Sequence, residues 1–172
     1  HLIENFKFDN SKLKIRRNWV ISSKSGGDFY TKKILCVGRL EFQKNYIKII
    51  KDFQNTKDSL TIDIVGKGSE KSNLLKLANE YNVNINFLGK IENSKLKSLY
   101  GKYRFFVTAS LFEGNPKSLL EAMGAGCIVL ASNIANHREL IDNEVDGFLI
   151  NLNTESFYER YNQIKNNENL LN

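Results

Sequence analysis

Six short runs rich in apolar residues recur along the chain, and most of them are continuously apolar rather than alternating. They lie at 33–37, 60–65, 85–88, 105–108, 127–130 and 147–150. Amphipathic stretches with helical spacing separate several of them, at 45–53, 74–81, 96–100 and 119–123. Continuously apolar strands are typical of a sheet buried on both faces, and alternation with helices is typical of parallel βαβ units. The pattern therefore predicts an α/β fold: a doubly wound, Rossmann-like parallel sheet of about six strands.

The length and composition are those of a single globular domain. The chain has 172 residues, of which 41% are hydrophobic and 26% are charged, and a chain of this size can fold without disulfides. It contains no run of eighteen apolar residues and no apolar core of a signal peptide near its N-terminus, so no membrane-spanning helix is expected. Cys36 and Cys127 lie far apart in apolar runs, which argues against a disulfide or a zinc site and for a cytoplasmic location.

The net charge of +6 is concentrated near the N-terminus, since residues 1–33 hold eight of the 25 Lys and Arg residues and three of the 19 acidic residues. We therefore separate a leader, residues 1–30, from a domain at 31–172, and expect an edge strand around 19–22 and a fraying tail from Asn162. The leader is interpreted either as a solvated linker or as a segment that contacts anionic lipid at the inner face of the cell membrane. Nucleic acid is not expected as a partner, because the sequence carries no signature of a nucleic-acid-binding module.

Polar residues and glycines follow the first two strands, at the edge of the sheet where parallel α/β folds bind ligands. Gly38, Arg39 and Lys44 follow the first strand. Glycine permits close approach of a ligand, and the Arg and Lys side chains can converge on one anion; the alternative is a basic pair on a solvated loop. Gly66 and Gly68 follow the second strand without the third glycine of a dinucleotide fingerprint, so they indicate a tight turn rather than a nicotinamide cofactor.

The segment after the fourth strand, SLFEGNPKSLLEAM at 110–123, carries the most chemistry. Asn115 suits a helix N-cap and Pro116 suits the first helical position, so the amides that follow can bind phosphate oxygens. Glu113 precedes the helix and Glu121 lies about two turns into it, on roughly the same side. Carboxylates accept paired hydrogen bonds from sugar hydroxyls; alternatively, Glu121 is a helix surface residue.

Taken in order along 34–150, these segments resemble the group 1 glycosyltransferases of family 4, which are retaining enzymes of GT-B architecture. The resemblance rests on VGRL followed by KN, then IVGKGS, FLGKI, SLFEGNPKSLLEAMGAG and DGFLI. Glu113 and Glu121 match the family's E-x7-E. Each segment is weak by itself, but the ordered set is specific. The resemblance covers only the C-terminal, nucleotide-sugar-binding half of such enzymes, which implies that the N-terminal acceptor domain is absent from this chain.

The resemblance implies a role for each matching residue. Arg39 and Lys44 would hold the donor diphosphate and stabilise the leaving nucleoside diphosphate. Glu113 would contact the hydroxyls of the transferred sugar, and Glu121 would bind the ribose. The backbone around the sugar and phosphate would come from Gly114, Asn115, Pro116, Lys117 and Ser118. Lys90 and Ile91 would line the base pocket. Gly38 and Gly66 would form the crevice floor.

The implied reaction transfers a sugar from a nucleotide sugar, most commonly a UDP-sugar, to a glycan or a polyprenyl-diphosphate-linked acceptor. Bacterial surface polysaccharide synthesis, such as that of O-antigen or capsule, is the expected setting, and the isolated domain is expected to be inactive. No cofactor and no metal are expected: the nearest approach to D-x-D runs from Glu144 to Asp146, and two cations can neutralise the leaving group instead. A non-catalytic nucleotide-binding module and a sugar-nucleotide epimerase relative are the alternatives.

One segment departs from the family pattern. The glycine pair that often precedes the next glutamate is replaced by Ala135 and Asn136. We interpret His137, which follows them, as a helix-start or surface residue rather than as a catalytic base.

Overall fold

The computed structural model describes residues 29–54, 56 and 60–167. Six strands form one sheet in the order β3-β2-β1-β4-β5-β6, and every neighbouring pair is parallel. The strands are β1 Tyr30–Val37, β2 Thr61–Val65, β3 Asn84–Gly89, β4 Tyr103–Thr108, β5 Ile128–Ser132 and β6 Phe148–Ile150. The predicted six-stranded parallel α/β sheet is confirmed.

Among the described residues, six α-helices accompany these strands, and a short 3-10 helix at Phe42–Lys44 follows β1. The α-helices are α1 Tyr46–Asp52, α2 Lys71–Glu80, α3 Asn93–Tyr100, α4 Lys117–Gly124, α5 Ala135–Arg138 and α6 Phe157–Lys165. The first four correspond to the amphipathic stretches, α5 contains His137, for which a helix start is one of the two interpretations, and α6 is not predicted from the sequence. The signal for α6 is a capping box: Ser156 Oγ accepts from the backbone N–H of Glu159, at the serine-to-glutamate spacing typical of a helix start.

The apolar residues form two clusters, one on each face of the sheet. One contains Ile34 and Ile62 with buried residues of α1, α2 and α6, and the other contains Leu35 and Phe106 with buried residues of α3 and α4. Because both faces are covered, neighbouring residues of a strand are buried alike, which explains the continuous apolar runs. Cys36 and Cys127 are buried and unbonded to each other, and burial raises the pKa of both thiols, to about 12 for Cys127.

Two of the predictions concern the ends of the chain. The strand expected at 19–22 and nearly all of the leader lie outside the described residues, whereas β1 already begins at Tyr30. Helix α6 includes Asn162 and continues to Lys165, so the first part of the expected fraying tail is helical. In the part of the chain that the structure describes, no helix combines the length and the apolar character needed to cross a membrane.

The strand order identifies the edge of the sheet where a ligand would bind. From β1 the chain adds β2 and β3 on one side, and it then returns to add β4, β5 and β6 on the other side. The loops that leave β1 and β4 therefore diverge from two adjacent strands. Such a switch point at the carboxyl ends of the strands opens a crevice in doubly wound folds, and the candidate residues Arg39, Lys44 and Glu113 follow these two strands.

Candidate functional site

Gln43 joins the two loops at the switch point. Its carbonyl oxygen accepts a hydrogen bond from the backbone N–H of Leu111 at 2.9 Å, and its side-chain amide donates to the carbonyl oxygen of Phe112 at 2.7 Å. These bonds fix the loop after β1 against the loop after β4, although the residues are about 69 positions apart in the sequence. The two loops form one wall of the crevice as a unit.

Lys44 and Glu113 form an ion pair on this wall. The Lys44 ammonium donates to Oε1 of Glu113, and the two side chains are only 14% and 8% exposed. Ser110 Oγ donates to the same carboxylate oxygen at 2.7 Å, so Glu113 is held from two directions. The sequence predicts that Lys44 shares an anion with Arg39, whose side chain is exposed; it does not predict that the nearest anion is a carboxylate of the site itself.

The position of Lys44 follows from the backbone around it. Lys44 ends the 3-10 helix, and Asn45 then adopts a left-handed conformation with φ of 50°, which asparagine tolerates better than most residues. The turn separates the 3-10 helix from α1. Gly38 contributes by leaving space, because a Cβ there would lie 3.0 Å from Cε of Lys44 and 3.1 Å from the hydroxyl of Tyr46.

Gly66 packs directly against the loop after β1. A Cβ on Gly66 would lie 1.9 Å from the carbonyl oxygen of Gly38, and one on Gly68 would lie 2.2 Å from that of Leu40. Backbone hydrogen bonds from Gly38 to Val65 and from Leu40 to Lys67 hold the two loops together. The glycines after β2 therefore serve the close approach of two loops, whereas the tight turn that the sequence indicates is not formed by residues 66–68 themselves.

The helix after β4 begins one residue later than its sequence suggests. Pro116, predicted at the first helical position, is the N-cap with φ of −79° and ψ of 60°, and α4 begins at Lys117. Asn115, predicted as the N-cap, precedes it and accepts from the N–H of Lys117 through its carbonyl oxygen at 2.8 Å. Pro116 provides no side-chain cap, but its carbonyl oxygen accepts from the backbone N–H groups of Leu119 at 3.1 Å and Leu120 at 3.2 Å. The polarity of α4 favours an anion at this end.

Glu121 is largely buried rather than a surface residue of α4. Its side chain is 14% exposed. Tyr100, the last residue of α3, donates from its hydroxyl to Oε2 of Glu121 at 3.2 Å, and the ammonium of Lys117 lies 3.6 Å from Oε1. The interpretation of Glu121 as a helix surface residue is therefore wrong, and the structure adds Tyr100, which the sequence analysis does not single out.

The residues expected at the base pocket lie directly after β3. Gly89 has a positive φ of 71°, and its carbonyl oxygen accepts from the N–H of Gly66 at 2.8 Å, which joins this turn to the loop after β2. Lys90 is exposed, and Ile91 is partly buried against the apolar cluster under α3 and α4. The loops that follow β1, β2 and β3 are thus linked in sequence along one edge of the sheet.

His137 lies in the short helix α5, in keeping with the helix-start alternative, but it is buried, so the surface alternative is wrong. It lies in the single turn of α5 and is 0% exposed. Nδ1 lies 2.8 Å from the carbonyl oxygen of Ser132 and carries the proton, because a carbonyl can only accept. Nε2 is buried with no hydrogen-bond partner among the described residues. Burial lowers the pKa of His137 more than the bond to Ser132 raises it.

Buried serine and threonine hydroxyls and backbone carbonyl groups lie between this histidine and Glu113. Ser132 Oγ donates to the carbonyl oxygen of Ser110 at 2.6 Å, and Ser110 in turn donates to Glu113. Thr108 Oγ1 lies 3.3 Å from Ser110 Oγ. The sequence signal for these residues is the polar end of an otherwise apolar strand, in β4 and again in β5.

The acidic residues Glu144 and Asp146, in the turn before β6, contact other residues of the fold. Glu144 pairs with Arg160 at 3.0 Å, and Asp146 accepts from the backbone N–H of Asp142 at 2.8 Å. Within residues 29–54, 56 and 60–167, no group of three or more His, Cys, Asp or Glu side chains could hold a metal ion.

The chain matches known proteins over most of its length. The family model described as "Glycosyl transferases group 1" matches residues 19–172. N-acetylgalactosamine-N,N'-diacetylbacillosaminyl-diphospho-undecaprenol 4-alpha-N-acetylgalactosaminyltransferase of Campylobacter jejuni is 32% identical over 90% of this chain and 44% of that protein. UDP-Gal:alpha-D-GlcNAc-diphosphoundecaprenol alpha-1,3-galactosyltransferase of Escherichia coli is 36% identical over 68% of this chain and 32% of that protein. The chain therefore spans less than half the length of these relatives.

Solved structures share the fold at lower sequence identity. TarM of S. aureus, crystallised with UDP, superposes with a TM-score of 0.80 at 23% identity, over 96% of this chain and 35% of that one. The pneumococcal O-GlcNAc transferase GtfA, with UDP and GlcNAc, superposes with a TM-score of 0.68 at 24% identity, over 89% and 30%. The described sheet and helices thus correspond to one part of larger proteins.

Proposed function

Because the chain belongs to the glycosyl transferases of group 1, we propose that it is the donor-binding domain of a retaining glycosyltransferase that uses a nucleotide sugar. The observation that carries the proposal is the pairing of Lys44 with Glu113 beside the N-terminus of α4, at the switch point of the sheet. A cation, a carboxylate and a helix N-terminus in one crevice suit a ligand that joins a diphosphate to a sugar.

The diphosphate is assigned to Lys44, Arg39 and the start of α4. An ammonium has three N–H donors, so Lys44 can keep one bond to Glu113 and direct the others to phosphate oxygens. Arg39 is exposed at the rim, where its guanidinium can reach a second phosphate oxygen. The base is proposed to be uracil, since the TarM and GtfA structures each contain UDP.

The two carboxylates are assigned to the two sugars of the donor. Glu113 is fixed by Lys44 and Ser110 and would accept from hydroxyls of the transferred sugar, while the backbone of 114–118 surrounds it. Glu121 would accept from the ribose. A carboxylate is a suitable group for both, because each of its oxygens can accept more than one hydrogen bond.

The chemistry follows from where charge develops. As the bond between sugar and diphosphate breaks, negative charge grows on the departing phosphate, and fixed cations with a helix N-terminus stabilise it at little reorganisation cost. We expect Arg39 and Lys44 to provide this stabilisation without a metal ion. In the retaining reaction the acceptor would attack from the face that the diphosphate leaves, so Glu113 would orient the sugar and would not form a covalent bond to it.

The acceptor is proposed to be a lipid-linked glycan of a bacterial surface polysaccharide pathway. The names of the Campylobacter and Escherichia coli relatives both specify a diphospho-undecaprenol substrate. Contacts to the acceptor would come from the part of such enzymes that this chain does not span. The basic residues 1–33 are the proposed point of contact with an anionic membrane surface.

Calorimetric titration with UDP and UMP tests the donor site. We expect UDP to bind more tightly than UMP, because the second phosphate reaches Lys44 and α4. Lys44→Ala should weaken UDP binding by about tenfold or more, the scale of a hydrogen bond to a charged group, and should reduce the preference over UMP. Lys51→Ala is the matched control, since Lys51 is exposed on α1 and away from the switch point.

Two results of the titration would contradict the assignment of Lys44 to the phosphate site. Equal affinities of the wild-type chain and Lys44→Ala for UDP would refute the assignment of the phosphate site. Equal weakening by Lys51→Ala would attribute the loss to the overall net charge and would also contradict the assignment.

A further inference from the structure

Tyr100 is a core residue at the end of α3 whose hydroxyl contacts Glu121 of α4. Its side chain is 1% exposed, and its ring lies 5.9 Å from the ring of Phe106 between centroids. Phenylalanine would serve this packing equally well. The hydroxyl has a different use, because it donates to Oε2 of Glu121 at 3.2 Å.

The Tyr100 hydroxyl stays protonated near neutral pH. Burial, and then the charge of Glu121, raise the pKa of Tyr100 well above its usual value. The phenol therefore stays protonated and remains a hydrogen-bond donor. Because a neutral donor leaves the carboxylate its full charge, Glu121 is oriented without being neutralised.

The second neighbour of Glu121 holds it less firmly. The ammonium of Lys117 is 3.6 Å from Oε1, beyond a normal hydrogen bond, and the Lys117 side chain is 61% exposed. Tyr100 is thus the one short anchor that the structure describes for this carboxylate. One bond to Oε2 leaves Oε1 and the remaining lone pair of Oε2 available for two donors.

We propose that Tyr100 is a positioning residue that holds the Glu121 carboxylate in the orientation that accepts both hydroxyls of the donor's ribose. This inference rests on the proposed function, in which Glu121 binds the ribose. Tyr100 ends α3, and α3 begins two residues after Lys90 and Ile91, the segment assigned to the base. Tyr100 lies at the other end of α3 from Lys90 and Ile91, so this helix links the segment assigned to the base with the contact to Glu121.

Comparison of UDP with 2′,3′-dideoxy-UDP by calorimetry tests the role of Tyr100. The readout is the ratio of the two dissociation constants, measured on the same preparation, which is insensitive to a smaller folded fraction. We expect the wild-type chain to prefer UDP by about tenfold or more, and Glu121→Gln to lose most of this preference. Tyr100→Phe should lower the ratio by about threefold to tenfold, the scale of one hydrogen bond to a charged group.

Tyr103→Phe is the matched control. Tyr103 is also a buried tyrosine that donates to a carboxylate, that of Asp63, but it begins β4 at the opposite edge of the sheet. Loss of the Tyr103 hydroxyl should leave the ratio of the dissociation constants for UDP and dideoxy-UDP at the wild-type value, even if the chain becomes less stable.

The outcomes separate this inference from the proposed function. If Glu121→Gln loses the ribose preference and Tyr100→Phe retains it, the positioning role is refuted and the donor site stands. If Tyr103→Phe lowers the ratio as much as Tyr100→Phe, general loosening explains the effect and the inference fails. A wild-type chain that does not bind UDP, or binds both nucleotides equally, would contradict the proposed function itself.

Discussion

At the residue scale, His137 is a buried imidazole near the Lys44–Glu113 pair. Its Nδ1 donates to the carbonyl oxygen of Ser132, and its Nε2 is buried. A proton on Nε2 would place a charge in a buried position, close enough to feel the charges of both Glu113 and Lys44. Burial outweighs these interactions and lowers the pKa, so the imidazole is most compatible with the fold in its neutral form.

This burial predicts a specific pH dependence of stability. The pKa of His137 is below 6.5 in the folded chain and near 6.5 when unfolded, so the unfolded state binds more protons as the pH falls through this range. The contribution of His137 to stability is therefore complete above about pH 7 and is lost as the pH falls toward the folded pKa. Urea unfolding at pH 5 to 8 should show a steeper loss of stability for the wild-type chain than for His137→Asn.

His137→Asn keeps a donor for Ser132 but cannot titrate in this range. The other histidine, His1, is common to both proteins and cancels in the comparison. Parallel stability curves for the two proteins would contradict a lowered pKa at His137.

At the element scale, the site is built from loops that are fastened to one another. Gln43 links the loops after β1 and β4, and Gly66 brings the loop after β2 within contact of the loop after β1. Ser69 Oγ also donates to Glu41 at 3.1 Å across the same pair of loops. These contacts stiffen the region around Lys44 before any ligand is present, so little ordering of the wall is needed on binding.

Gly66→Ala tests this fastening. Because the new Cβ would lie 1.9 Å from the carbonyl oxygen of Gly38, the two loops must separate, and we expect a loss of more than about 2 kcal/mol in the free energy of unfolding. UDP binding should weaken as well, since the loop of Lys44 moves. Urea unfolding and calorimetry measure the two effects.

Gly114→Ala is the matched control for stability. No atom lies within 4 Å of a Cβ at Gly114, so its free energy of unfolding should stay within about 0.5 kcal/mol of the wild-type value. An equally stable Gly66→Ala variant would mean that the loops do not need the close approach seen between their backbones.

At the scale of the whole molecule, the crevice has one described wall. The cations, carboxylates and helix N-terminus all lie on the carboxyl edge of a single sheet, and the chain spans 44% of its Campylobacter relative. A transfer reaction needs an acceptor held against the reacting carbon of the donor sugar, and positioning of that kind contributes a large part of catalysis. We therefore expect that donor binding can be observed with this chain in the absence of sugar transfer.

We expect the 172-residue chain to bind UDP but to show no sugar transfer. Incubation with a radiolabelled UDP-sugar and a polyprenyl-diphosphate-linked glycan, followed by extraction of the lipid, measures transfer. The Campylobacter relative, assayed at its own full length, is the positive control. Robust transfer by this chain alone would contradict its assignment as the donor-binding part of a larger enzyme.

The sequence by itself determined the architecture and most candidate residues of the site. Continuous apolar runs and helical spacing are local properties, so they predict the six strands and four of the helices. Lys44 and Glu113 stand out because they lie in segments that follow strands, and Glu121 stands out because it completes the E-x7-E spacing with Glu113.

Only the tertiary structure decided which of these residues meet. The Lys44–Glu113 pair joins residues 69 positions apart, and the Tyr100–Glu121 bond joins two helices. The burial of His137 likewise depends on packing around the short helix α5. The physical reason is that periodicity describes the environment of each element, whereas a contact between loops depends on the strand order and on how all the elements pack together.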